Sequence, residues 1–418
     1  MPTNPTLLAR LRRTGAATML VAAAGCTEFL TVPNPTVIDA GSINPISDAP
    51  TLANSAQQNF VTAFGLNAMY QGWFTGEIAV AETFPTRNEF GRRDIAPTNG
   101  SLNADTWAPL SVAISSARFV MGLALPTPAT NINRNQAALF SGYSFLMMAE
   151  SFCLGTVSSG PKLTTNDLLD SAIANFTIAI TIGRAINSAT SNSYANAAFT
   201  GRARANLMRG NTAAASTDAD SVPVAFVFNA LFVDDLSNRT RLSNTFWQFT
   251  RDRGSVSVDT AWRKLDPRVV YVNGATLTPP LSAQDATNGV FYVQQKFPGY
   301  ATSIRLASKL EADYIKQEAV GGVAGQTALI NTRRAAAGLP PYAGAATAPA
   351  VLLELMTQKG FDFFLEGKRM GDFRRNPTSI VGLPPSGGTF FKPGFSTIGA
   401  DTCFPVPFAE TSTNSNFP

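Results

Sequence analysis

Two helical segments in succession, separated by a tight break, set the strongest limit on what this chain can fold into. Over 166–182, Leu169, Ala172, Ile173, Phe176 and Ile180 recur at helical spacing and form one apolar stripe. Asp167 near the start suits the positive end of the helix dipole. A second segment, about 193–209, places Ala198, Gly201 and Ala205 on one face, small enough for another helix to approach closely. Gly210 and Asn211 then break the chain, and an alanine-rich helix restarts near Thr212. A helix with a single apolar stripe must bury it against a neighbour. The pattern therefore predicts stacked helical hairpins of the tetratricopeptide type, with this pair clear and others degenerate.

The rest of the chain divides around that pair. Helical composition marks 51–80, 103–124 and 134–153, and helices are predicted again over 302–319, 324–337 and 349–366. In the last of these, Leu352, Leu355, Met356 and Phe363 share a face. Between 232 and 300 the helical period fades, Pro, Gly, Asn, Asp and Thr increase, and aromatic residues are scattered throughout. A long irregular region inside a compact protein is often functional. A short strand is expected at 268–272, and 377–418 reads as a packed coil. The expected fold class is mainly α: tetratricopeptide-like helix pairs with long irregular loops packed on them.

Composition removes several functions. Of 418 residues, 45% are hydrophobic and 14% charged, which supplies a sizeable core and argues against a disordered or nucleic-acid-binding chain. The chain has no histidine. That excludes Ser-His-Asp catalysis, His-ligated zinc and haem on a proximal histidine. Glycoside cleavage needs two carboxyl groups facing each other across a cleft, and no such pair can be argued from spacing. No metal site, cofactor or catalytic residue is expected.

The N-terminus reads as an address. Arg10, Arg12 and Arg13 precede a short apolar stretch, and Ala23-Ala24-Gly25 lead into Cys26. This is the layout of an export signal, over 1–25. Small residues directly before a cysteine resemble a bacterial lipobox, although Ala23 stands where leucine is preferred; the alternative is an ordinary secretory signal cleaved nearby. With the signal removed, the formal charge of +4 falls close to neutral. Residues 26–50 are expected to form a lipid-anchored tether and 51–418 a single domain. No stretch beyond the signal is expected to be long and apolar enough to cross a membrane, so attachment is expected through lipid only. Cys153 and Cys403 are compatible with a disulfide and equally with two buried thiols.

Four segments of the C-terminal part carry a specific resemblance. They are Leu310-Glu311-Ala312-Asp313-Tyr314-Ile315-Lys316-Gln317-Glu318-Ala319, Ile330-Asn331-Thr332-Arg333-Arg334-Ala335-Ala336-Ala337-Gly338-Leu339-Pro340, Phe364-Leu365-Glu366-Gly367-Lys368-Arg369-Met370-Gly371-Asp372-Phe373-Arg374-Arg375, and Phe404-Pro405-Val406-Pro407-Phe408-Ala409-Glu410 followed by Asn416. In order and spacing they resemble the SusD/RagB-like family. Cys26-Thr27-Glu28-Phe29-Leu30 and Asp266-Pro267-Arg268 resemble it more loosely. The resemblance implies a non-catalytic lipoprotein at the outer face of the outer membrane. It would capture oligosaccharide, or peptide in some members, and pass it to a SusC-like TonB-dependent transporter. A protein-binding scaffold of the cell envelope is the alternative.

Sugar rings present flat C–H faces, so aromatic platforms with polar groups nearby are the residues to seek. Two stretches offer them: a loop expected at 84–93, with Phe84, Arg87, Asn88, Phe90, Arg92 and Arg93, and the region 245–300. The candidate ligand residues are Asn88, Arg92, Trp247, Trp262, Tyr292 and Tyr300. Trp107 is expected to open a helix over 107–120 and to be structural. Glu366 and Arg369, three residues apart, are expected to pair on one helix, with Gly367 allowing close packing.

Overall fold

A computed structural model describes residues 43–263 and 266–417. The export signal, Cys26 and the tether up to residue 42 lie outside the described residues. One compact unit runs from Ala49 to Pro418. Its helices are α1 (Ala49–Phe74), α2 (Pro85–Arg92), α3 (Ala108–Met121), α4 (Ile132–Ser151), α5 (Thr165–Ile186), α6 (Ala189–Arg209), α7 (Thr212–Asp220), α8 (Thr245–Arg251), α9 (Lys309–Val320), α10 (Val323–Ala336), α11 (Ala348–Asp362) and α12 (Arg369–Arg375). Helices α1, α3, α4, α5, α6 and α7 pack in succession, and α9 continues the stack against α7. The mainly α architecture of stacked helical hairpins is as expected.

Local chemistry explains the central pair. Thr164 and Asp167 form a reciprocal capping box at the start of α5. The Thr164 hydrogen bonds hold the Asp167 carboxyl below its usual range. Gly210, at φ +89°, ends α6 in the left-handed region. Phe176 of α5 projects between α4 and α6. A Cβ on Gly142 would lie 2.7 Å from its ring, and one on Gly201 would lie 2.4 Å away. Both glycines are therefore the holes into which one aromatic knob fits. Helix α5 is also apolar enough, at mean hydropathy 1.2, to cross a membrane by length and composition, which corrects the expectation that no such stretch exists. Its buried stripe, Leu168, Leu169, Ala172, Phe176 and Ile180, packs instead within the protein core.

Small antiparallel ladders form in the irregular part. β1 (Ile78–Val80) pairs with β3 (Val256–Val258), β2 (Val227–Ala230) with β6 (Ile304–Ser308), and β4 (Tyr271–Asn273) with β5 (Tyr292–Gln294). The helix expected over 302–319 is thus a strand and then a helix. Ile304 and Leu306 alternate inward against β2, and the Ser308 side chain caps α9 by accepting the Glu311 amide at 3.2 Å. The strand expected at 268–272 forms slightly later, at Tyr271–Asn273. The C-terminal coil contains one unexpected helical turn, Phe408–Thr413. Cys153 and Cys403 form a disulfide with Cα atoms 5.2 Å apart, beside the bridge between Phe152 and Phe404.

The C-terminal motif differs from expectation in one respect. Helix α11 ends at Asp362 and α12 begins at Arg369, so Glu366 and Arg369 do not share a helix. Glu366 pairs instead with Lys296 at 2.7 Å and Arg305 at 2.9 Å. Arg369 donates to the Thr75 carbonyl at 3.2 Å. Gly367, at φ +64°, lets this loop press onto Ala68 of α1, where a Cβ would sit 3.0 Å from the Ala68 Cβ.

Two outcomes follow. Gly201→Val drives a side chain into Phe176 and should destabilise the fold by about 1–3 kcal/mol in chemical denaturation. Glu77 is 1% exposed and accepts the Leu365 amide at 3.1 Å. Burial pushes its carboxyl up to about 7, only partly offset by Arg369. The native state therefore keeps a proton that the unfolded chain releases near its ordinary value of 4.5. This contribution is fully present below 4.5 and is lost as pH rises through about 7. Glu77→Gln should lose less stability than the parent across that window, the difference approaching about 3 kcal/mol, read from urea midpoints at each pH.

Candidate functional site

The two stretches singled out in the sequence meet at one surface. Strand β1 hands the chain to Glu82, Thr83 and Phe84, and the Phe84 ring is 51% exposed. Arg87, in the first turns of α2, lies 5.0 Å from that ring and 4.9 Å from the ring of Phe249 on α8. Arg253 stands 4.5 Å from Phe249. Next to it, Asp252 accepts the Tyr300 hydroxyl. Tyr300 meets Trp247 edge-on at 6.5 Å, and the Arg239 guanidinium sits 3.9 Å over the Tyr300 ring. From the C-terminal coil, Lys392 reaches the Glu82 carbonyl at 2.5 Å and Asp285 at 3.0 Å, beside the half-exposed Phe391. The result is a strip of rings and cations running from Phe391 and Phe84 to Trp247.

The strip rests on buried polar groups. Arg87 Nη1 donates to both Glu82 carboxylate oxygens at 2.8 Å, and its Nε donates to the Tyr70 hydroxyl at 3.2 Å. The Ser255 hydroxyl donates to Glu82 at 2.8 Å. Burial opposes the Arg87 charge, but Tyr70 and Glu82 hold it above its ordinary value. At the exposed end, burial and the Asp252 hydrogen bond push the Tyr300 phenol up to about 12. The Asn244 side chain accepts the Trp247 amide at 3.1 Å, and the Asn244 backbone N–H donates to the Tyr300 carbonyl at 2.7 Å, which holds those rings together. Every acid on the strip is engaged: Glu82 by Arg87, Asp252 by Tyr300, Asp285 by Lys392. Such an arrangement can stack and hydrogen-bond a ligand, and it presents no opposed carboxyl pair.

The candidate residues divide accordingly. Trp247 and Tyr300 are half-buried and lie on the strip. Tyr292 is half-buried in a neighbouring cluster, edge-on to Tyr271 at 5.7 Å with Arg263 3.9 Å over its ring. Two assignments need correction because the side chains face inward. Asn88 is fully buried and donates to the carbonyls of Glu82 and Phe84, fixing the turn into α2. Trp262 is 4% exposed, packed on Phe364 and Phe361 with Arg369 4.6 Å over its ring. Arg92 is largely covered, paired with Asp94 at 3.1 Å and with Phe395 below it. The stretch 84–93 is mostly helix α2 and not a loop, because Pro85 suits a first helical turn. Trp107 is structural as expected, stacked edge-on to Phe152 at the end of a π-helical turn. Sequence reasoning missed Arg239, Asp252, Arg253, Phe391 and Lys392, which no local pattern distinguishes. A hollow of about 600 Å³ beside Arg118, Met121, Phe145 and Leu163 offers one ring, and Phe145 is only 5% exposed.

A layer of helical hairpins carrying an aromatic-rich irregular region and a C-terminal coil defines the SusD-like fold. The chain is similar to a SusD superfamily protein from Bacteroides vulgatus at 16% identity and TM-score 0.65, over 89% of this chain and 98% of that one. It is similar to surface glycan-binding protein A from Bacteroides thetaiotaomicron, in complex with laminarihexaose, at 13% identity and TM-score 0.62, over 87% and 98%. It is also similar to a chitin-binding SusD homologue from Flavobacterium johnsoniae at 13% identity and TM-score 0.54, over 83% and 89%. No family model and no curated protein matches the sequence. At these identities the likeness is one of fold, and the fold is the one its C-terminal motifs led us to expect.

Arg87 serves the strip from beneath. Arg87→Leu should strand Glu82 without its partner and cost about 3–5 kcal/mol of stability in chemical denaturation. A loss under 1 kcal/mol would instead make Arg87 dispensable to the frame.

Proposed function

We propose that this chain is a non-catalytic glycan-binding protein of the cell surface, which captures oligosaccharide on the strip from Phe391 and Phe84 to Trp247. The observation that carries the reading is the convergence of rings and hydrogen-bonding cations from distant parts of the chain on a SusD-like frame. Stacking against C–H faces supplies affinity, and Arg239 and Arg253 supply donors for hydroxyl groups. Similar folds that bind laminarihexaose and chitin support the ligand class. The Cys153–Cys403 disulfide supports an oxidising compartment outside the cytoplasm. In this reading Cys26 is lipidated, the chain is held at the outer membrane by that anchor, and captured glycan passes to a SusC-like TonB-dependent transporter.

Calorimetric titration of the protein with laminarihexaose, chitin oligosaccharides and peptides tests it. Saturable glycan binding, weakened about fivefold or more in Phe84→Ala and in Trp247→Ala, is the expected result. Saturable binding by peptide alone would replace the ligand class. New reducing ends after incubation would overturn the non-catalytic reading.

A further inference from the structure

A second concavity opens beside the strip. A hollow of about 220 Å³ lies between the end of α1, strand β1 and the coil segment 384–398. Its inner wall is Trp73, 1% exposed, with Ile78, Val80 and Phe390. Gly91 keeps the α2 side open: a Cβ there would stand 3.1 Å from Val80 and 3.5 Å from Phe390. Polar groups line the outer part, namely Asp259, Thr260 and Thr389. Thr260, Thr389 and Phe391 are exposed and form the mouth.

Two features ask for a ligand. The Trp73 indole N–H is buried and has no acceptor within the described protein, although a buried indole ordinarily finds one. Asp259 accepts the Ala261 amide at 2.9 Å, and burial holds its carboxyl above the usual range. One unpartnered donor, one acidic group and two hydroxyls between aromatic walls match a polyhydroxylated ring. No lysine or arginine lines the hollow among the described residues, so nothing there balances an anion.

We propose that this hollow is an end-binding subsite for one neutral hexose-sized ring, the terminal residue of a glycan whose preceding residues lie across Phe391 and Phe84. This deepens the glycan-binding reading and rests on it for the polymer, though not for the single ring. Phe391 belongs to both surfaces, and Lys392 ties it to the Glu82 carbonyl two residues before Phe84. A chain bound along the strip is therefore read at its end, which favours free termini over internal segments.

Saturation-transfer NMR with the methyl glycosides of glucose, galactose, mannose and N-acetylglucosamine, on the full chain, tests the subsite. At least one should bind, on the order of millimolar. Ala79 lines the hollow from the middle of β1, half-buried between Ile78 and Val80. Ala79→Leu should fill the space and abolish the signal with an unchanged melting curve. Trp73→Phe and Asp259→Asn should each weaken it about fivefold or more, while Trp247→Ala should leave it unchanged. Equal saturation in the parent and Ala79→Leu would overturn the subsite. So would silence from all four glycosides while laminarihexaose still binds, an outcome that leaves the strip intact. Single-ring binding lost in Ala79→Leu, with no oligosaccharide bound at the strip, would uphold the hollow and sink the surface reading.

Discussion

Arg204 lies inside the helical layer, and much of the molecule is fastened to it. Its Nε and Nη2 reach the two oxygens of Glu150 at 2.7 and 2.5 Å, and Nη2 also donates to the Gly367 carbonyl at 2.7 Å. Glu311 stands 3.4 Å from its Nη1 and 2.8 Å from Lys368. One guanidinium thereby joins α4, α6, α9 and the loop between α11 and α12. Burial works against its charge, but Glu150 and Glu311 hold it firmly protonated. Only arginine offers donors in a rigid fork for three acceptors at once. Pairing of this kind adds little net stability over an apolar core, yet any arrangement that leaves a member unpaired is heavily penalised. The network thus selects one register for the helices and one path for the C-terminal loop.

The same logic carries the frame out to the surface. Glu366, one residue from Gly367, takes Lys296 and Arg305, and these pull the irregular region down on the helices. Burial opposes the Glu366 charge, while Lys296 and Arg305 hold its carboxyl below the usual range. Asp362 binds Arg333 at 2.8 Å, Arg268 at 3.2 Å and the Tyr314 hydroxyl at 2.6 Å. The charged residues of the C-terminal motifs are consequently internal ties. Tyr300 sits between two such anchors, Lys296 and Arg305, so its position on the strip is inherited from the buried network.

Much of the frame was legible because its signals are local. The stripe on α5, the small face of α6 and the capping residues act within a few turns of one helix. The strip was legible only in part. Phe84 and Trp247 are of the right residue type, but so are Asn88 and Trp262, which face inward. An amide that caps its own turn and an indole under an arginine carry no mark in the sequence that separates them from exposed ones. Arg239 and Arg253 become site residues only because the chain returns to the same place, and Lys392 is the buried tie that holds Phe391 there.

By itself, then, the sequence determined the helical hairpins, the mainly α class, the absence of histidine chemistry and the motifs that point to a SusD-like frame. All of these rest on residue type and on periods of a few residues. Tertiary structure decided that Cys153 and Cys403 join across a separation of 250 residues, which rings stay in solvent, and that Glu366 answers Lys296 and Arg305 instead of Arg369. Those outcomes depend on the competition for burial among groups far apart in the chain, and desolvation is a property of the assembled fold that no local pattern encodes.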